Sequence, residues 1–305
     1  MLRTPSLLLA GVVLLPILFG PACATGRPTK NQDLTPLAQL PEEFATAWRA
    51  WRDETPEWRE WRPRVKADAK LANFFVDNLV RLMIKSYEDS GLRPRGELAG
   101  PFERASRELV YLQDYSAPVM IELIPMGDTI VSFLAGDILM QIDDGRWCLP
   151  LAKKLQGGKA EDRRRAAEWL GKLPGAGDEE EAVWELLEKT LADPDWTVRV
   201  QGATTIGLRA TARGRVDLAR APLSRALGDS NPDVVKAACK AIGKGGDLNC
   251  VPALINLLER GERAQEFHLI RAAQETLEQL TKQKGHLGSA AWRNWWGIWW
   301  KANRS

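Results

Sequence analysis

PDVVKAACKAIGKGGDLNCVPALINLLERG, residues 232–261, decides how the rest of the chain is read. Asn231, just ahead of it, is a helix-capping residue, and Pro232 already holds the φ of a first helical turn. Val235, Ala238 and Ile242 recur at spacings of three and four, the period of one helix face. Gly243, Gly245 and Gly246 end that helix and turn the chain. Val251, Leu254, Leu257 and Leu258 then trace an apolar stripe on a second helix. The stretch predicts a helical hairpin that cannot bury both stripes alone, so it needs neighbours of its own kind.

Those neighbours are in the sequence. A small residue precedes a Leu or Ile by four positions at Ala105/Leu109, Ala135/Leu139, Ala166/Leu170, Gly202/Ile206, Ala238/Ile242 and Ala273/Leu277. The steps between the small residues are 30, 31, 36, 36 and 35. One such pair is common in helices, but six at nearly constant spacing are a repeat. The small residue lets a facing helix come close, and the larger one fills the space one turn on. Second helices are expected at 149–156, 180–192, 219–228 and 251–260. Residues 209–217 (RATARGRVD) read as an insertion before Pro222 opens the second helix of that unit.

The unit 232–261 resembles a HEAT repeat of the short bacterial type also seen in phycobilisome-lyase-like proteins. Val235-Lys236, Ala238, Ile242-Gly243, Asp247 and Val251-Pro252-Ala253-Leu254 carry the likeness. Residues 198–207 and 131–155 repeat it with more drift, and coverage runs from about 128 to 282. The resemblance implies an all-α solenoid of helical hairpins, usually a binding scaffold; the working surface expected of such a stack is its concave face, formed by the second helices. It transfers no catalytic residue, because the matching positions are packing positions.

The flanks are also helical in pattern. Residues 41–95 read as an N-terminal cap, with helices at 42–53 and 69–89 and a loop at 93–100. Residues 96–282 read as HEAT-like repeats, and 283–305 as a Trp-rich C-terminal helix. The last of these resembles tails that follow the final repeat in other bacterial HEAT proteins, although Lys282 stands where Gly is common there.

The first 23 residues read as an address. Arg3 precedes an apolar run, Leu7–Phe19, too short for a bilayer span of about 20 residues but suited to a secretory signal. Gly20-Pro21-Ala22-Cys23 resembles a bacterial lipobox, which implies lipidation of Cys23. Ala24 rather than Asp follows it, which in Gram-negative lipoproteins implies the outer membrane. Cleavage after Ala24, giving a secreted or periplasmic protein, is the alternative. Residues 24–40 are polar with two prolines and read as a flexible tether.

Nine of the thirteen tryptophans lie near the two ends of the body. Trp48, Trp51, Trp58 and Trp61 alternate with arginines. Trp292, Trp295, Trp296, Trp299 and Trp300 fall on one helical face. They read first as caps over the open ends of the core. As surfaces, with Trp48, Trp51, Trp58, Trp61, Trp295 and Trp299 as the candidate binding residues, they suit a glycan, a protein partner or a membrane interface.

Chemistry-bearing patterns are missing. Forty-two Lys and Arg against forty Asp and Glu leave +2, which argues against nucleic-acid binding. Two histidines, His268 and His286, are too few for a His-rich metal site. No phosphate loop, dinucleotide fingerprint, zinc-protease motif or nucleophile elbow is present. Glu179–Glu181 read as acids favouring a helix N-terminus. Cys148, Cys239 and Cys250 read as buried thiols, with a 239–250 disulfide as the other option. The expectation is a non-enzymatic protein-interaction scaffold of the cell envelope. It has no cofactor, and the membrane is reached through an N-terminal lipid. A glycan- or peptidoglycan-binding module is the alternative, and a lyase-like enzyme stands behind both.

Overall fold

The computed structural model describes residues 39–90, 99–126, 129–245, 247–285 and 287–303, all within the unit Leu34–Ser305. The signal, Cys23, the tether up to residue 38 and His286 lie outside the described residues. The helices run α1 Glu42–Arg52, α2 Trp58–Ala67, α3 Ala69–Ser90, α4 Ala99–Tyr111, α5 Gln113–Met126, α6 Thr129–Ile142 and α7 Cys148–Lys153. They continue with α8 Ala160–Leu170, α9 Glu180–Thr190, α10 Trp196–Arg213, α11 Val216–Ala226, α12 Pro232–Gly245, α13 Val251–Ala264, α14 Phe267–Thr281 and α15 Gly288–Ala302. Among the described residues there is no strand, and the fold is an α-solenoid.

The small/large pairs are the packing centres. All twelve of their side chains or glycine positions are buried. Each Leu or Ile removed from water there contributes about 1.5–3 kcal/mol before the entropy of ordering is counted. The small member sets the approach. A Cβ at Gly202 would stand 2.0 Å from Thr190 Oγ1, so α10 closes on the end of α9 only because position 202 has no side chain. The first helices α8, α10, α12 and α14 pack in sequence against one another, while α9, α11 and α13 pack back on the first helices beside them.

Helix ends follow local chemistry. Asn231 accepts the Asp233 amide at 2.8 Å, the expected cap of α12, and Asp195 caps α10 in the same way, accepting the Thr197 amide at 2.8 Å. Gly214, at φ +65°, stops α10.

Several boundaries differ from the sequence reading: α2 is an added helix in the N-terminal cap, and α12 runs on through the buried Gly243 to Gly245. Residues 209–217 are not a looped insertion. α10 runs on through Arg213 and α11 begins at Val216, so Pro222 sits inside α11 rather than opening it. The cause is burial of Arg209 and Ala210, which makes another turn of α10 part of the core. Ala99 and Gly100, read as the end of a loop, already belong to α4.

Candidate interaction surfaces

Arginine–aspartate pairs tie successive hairpins. Arg163 near the start of α8 makes a two-pronged pair with Asp193 just past α9, at 2.7 and 2.8 Å. Thirty-six residues on, Arg199 does the same with Asp229 past α11, at 2.7 and 3.0 Å. Each aspartate also takes the backbone amide two residues ahead, Asp195 at 2.9 Å and Asn231 at 2.8 Å. Burial pushes both carboxyls up, but the guanidinium and amide hydrogen bonds outweigh it and hold them below the usual range. Arg220 and Asp247 form a related pair at 2.5 Å. These pairs fix geometry and leave no open charge, and they went unnoticed in the sequence. The equal 30-residue separation of 163/193 and 199/229 is the signal that could have found them.

Arg209 is 1% exposed. It grips Glu180 at 2.6 and 2.7 Å and donates to the Leu170 carbonyl at 2.8 Å. Glu180 also accepts the Ala176 amide at 2.7 Å. Burial raises the Glu180 pKa, and Arg209 and that amide bring it below its ordinary value. Acid at the start of α9 is thus more than a partner for the helix dipole. Cys148 lies nearby, its thiol 3.1 Å from the Pro174 carbonyl and pushed up by burial. Cys239 and Cys250 are buried free thiols whose pKa burial pushes up to about 11. A protonated, enclosed thiol is a poor nucleophile.

An apolar crevice between α3, α4, α5 and α6 includes Met83, Leu109, Met120 and Ile138, and every residue lining it is apolar. It offers no group to orient a substrate. Among the described residues no set of three His, Cys, Asp or Glu is placed to hold a metal, and no helix is long and apolar enough to cross a membrane. His268 sits on α14, half in solvent, 3.6 Å from Glu266.

The tryptophans divide. Trp48 and Trp51 are buried, 4.9 Å apart, with Trp48 edge-on to Phe75 at 5.2 Å. As placed, these two present packing rather than surface. Trp58 stacks on Phe75 at 5.4 Å, and Trp61 lies under the Arg64 guanidinium at 4.1 Å; both are half-buried. At the other end Trp292 is wholly buried and its indole donates to Gln274 at 2.9 Å. Trp295 and Trp296 lean on the core, while Trp299 stacks on both at 6.2 and 5.0 Å.

A different apolar surface crosses the first helices. Phe133, Gly136 and Met140 share a stripe on α6, with Phe133 53% and Met140 42% exposed. The Trp169 indole of α8 lies on Gly136, where a Cβ would be 2.1 Å from the ring. Phe133 and Trp169 have ring centroids 6.3 Å apart. Leu208 of α10, 43% exposed, continues the strip beside the end of α8, 3.6 Å from where a Cβ on Gly171 would stand. No motif or spacing in the sequence marks these positions, because they come together only when α6, α8 and α10 pack.

Residues 183–278 match the family model for HEAT repeats. That segment is a run of HEAT repeats. It spans α9 to α14, the stretch that holds the Arg199–Asp229 pair and the quoted unit. Solved structures with similar chain traces include an engineered protein, 18% identical over 68% of this chain and 96% of its own, with a TM-score of 0.41. Human deoxyhypusine hydroxylase in complex with glycerol is 15% identical over 86% of this chain and 96% of its own, with a TM-score of 0.35. The CpcE–CpcF complex of phycocyanin lyase from Nostoc sp. is 19% identical over 83% and 97%, with a TM-score of 0.29. Likenesses at these scores carry nothing about activity. No curated protein matches the sequence.

Proposed function

We propose that this HEAT-repeat chain is a non-enzymatic protein-interaction scaffold of the bacterial cell envelope, tethered to a membrane by a lipid on Cys23. A helical repeat is suited to binding partners along an extended surface. The observation that carries the reading is the strip formed by Phe133 and Met140 of α6 and Leu208 of α10, apolar side chains that the fold leaves in water, with the buried Trp169 of α8 packed against Phe133. The strip lies on first helices, so the working surface proposed here is not the second-helix face expected from sequence. Glycan binding through Trp is the weaker reading, since Trp48 and Trp51 are buried.

Proximity labelling in living cells tests the scaffold. One or two envelope proteins should be enriched with the native chain and lost with Phe133→Glu/Leu208→Glu. Enrichment of nothing beyond a secreted control would contradict it. For the tether, Cys23→Ser should abolish lipid labelling and release the protein from the membrane fraction. Unchanged fractionation of that variant would remove the lipid anchor.

A further inference from the structure

α15 is held at one end and open at the other. Its first half is bound to α13 and α14. The Ser289 amide and hydroxyl reach Glu262 at 2.8 and 2.5 Å, Arg293 reaches Glu259 at 2.5 Å, and Trp292 is buried. Its second half carries more apolar surface than the body covers. Ile298 is 64% and Trp300 36% exposed, and at 100° per residue they point to nearly opposite sides of the helix, with Trp299 between them.

Charge selects what meets that end. After Glu278 the sequence has no acid, while Lys282, Lys284, Arg293, Lys301 and Arg304 follow. Arg293 is spent on Glu259, but Lys284 and Lys301 are exposed. Indoles beside the exposed Lys301, on an end whose sequence carries no Asp or Glu after Glu278, are the chemistry of a bilayer's headgroup region. A protein partner needs no such exclusion of acid. A helix of 15 residues is about 22 Å long, short of the roughly 30 Å hydrocarbon layer, and its first half is held by the body, so its free end would dip into the headgroup layer rather than cross it. We infer that the C-terminal half of α15 docks onto an anionic phospholipid surface, inserting Ile298, Trp299 and Trp300 among the headgroups. This contact is independent of any lipid on Cys23.

The test uses the full chain as Cys23→Ser, with Asn303→Cys carrying an environment-sensitive nitrobenzoxadiazole dye; the remaining cysteines are buried. The dye reports only on α15, whatever else in the chain touches lipid. Vesicles of phosphatidylglycerol and phosphatidylcholine should blue-shift its emission and raise it by about twofold or more. Pure phosphatidylcholine should do much less, as should salt that cuts the Debye length to about 3 Å. Adding Ile298→Ser/Trp300→Ser, the two exposed members of that end, should abolish the response while the circular dichroism melt shifts little. An equal response to neutral vesicles would overturn the anionic preference. So would an unchanged response in the double variant. A response to soluble peptidoglycan fragments without vesicles, or dimers in size exclusion that the double variant dissolves, would assign the surface to a glycan or a second copy and overturn the proposal.

Discussion

Arg209 shows how much one side chain can decide. A guanidinium 1% exposed is tolerable only because Glu180 takes two of its N–H groups and the Leu170 carbonyl a third. Arg209→Ala strands the Glu180 carboxylate and is expected to cost about 3–5 kcal/mol in urea unfolding. Arg209→Met with Glu180→Gln removes both charges together and should cost clearly less than the single variant. A pair that costs as much as the single change would mean that packing, not charge, governs the site. Nothing local in RATARGRVD marks a buried arginine, because its partner is 29 residues away and exposed arginines, Arg213 among them, follow the same local pattern. The six small/large anchors were legible for the opposite reason. Their environment is set by spacing along one helix, which is a property of the sequence itself.

Between elements, the Arg–Asp pairs and the Trp292 anchor govern how helices stay in register. Asp193 and Asp229 have folded-state pKa values below their unfolded ones. The stability they supply is therefore complete above the unfolded range, near pH 4, and is lost as pH falls through the lower folded values. Asp193→Asn and Asp229→Asn should each cost about 1.5–3 kcal/mol at neutral pH. Combined, they should flatten the loss of stability below about pH 4, as read by denaturant titration across pH. A loss as steep as in the native chain would place the acid sensitivity elsewhere. At the C-terminal cap, Trp292→Ala should cost about 3–5 kcal/mol and speed amide exchange in α15. Trp300→Ser, which gives up its packing on Trp296, should cost clearly less, about 0.5–1.5 kcal/mol. Both ends were foreseen as tryptophan-rich, but periodicity could not separate Trp292 from Trp300. They share a face and differ only in how far the body extends beneath them.

At the scale of the whole molecule, the fold is a chain of near neighbours, with α8, α10, α12 and α14 each touching the next. Damage should stay local. Leu254→Ala, at a buried position of α13, is expected to cost about 2–5 kcal/mol. Hydrogen exchange should accelerate in α12–α14 well before α1–α4; uniform acceleration would mean a single cooperative body. The all-α repeat was readable because stacking demands repetition in the sequence. The exposed strip was not, because it joins residues of α6 and α10, with the buried Trp169 of α8 packed against Phe133, and their nearness exists only after folding. Its purpose is the central claim, and in-cell photo-crosslinking tests it most directly. A photoreactive phenylalanine at Phe133 or Leu208 should capture the same discrete envelope protein, and one at exposed Arg225 on α11 should not. No adduct from either strip position, or the same pattern from Arg225, would contradict the account.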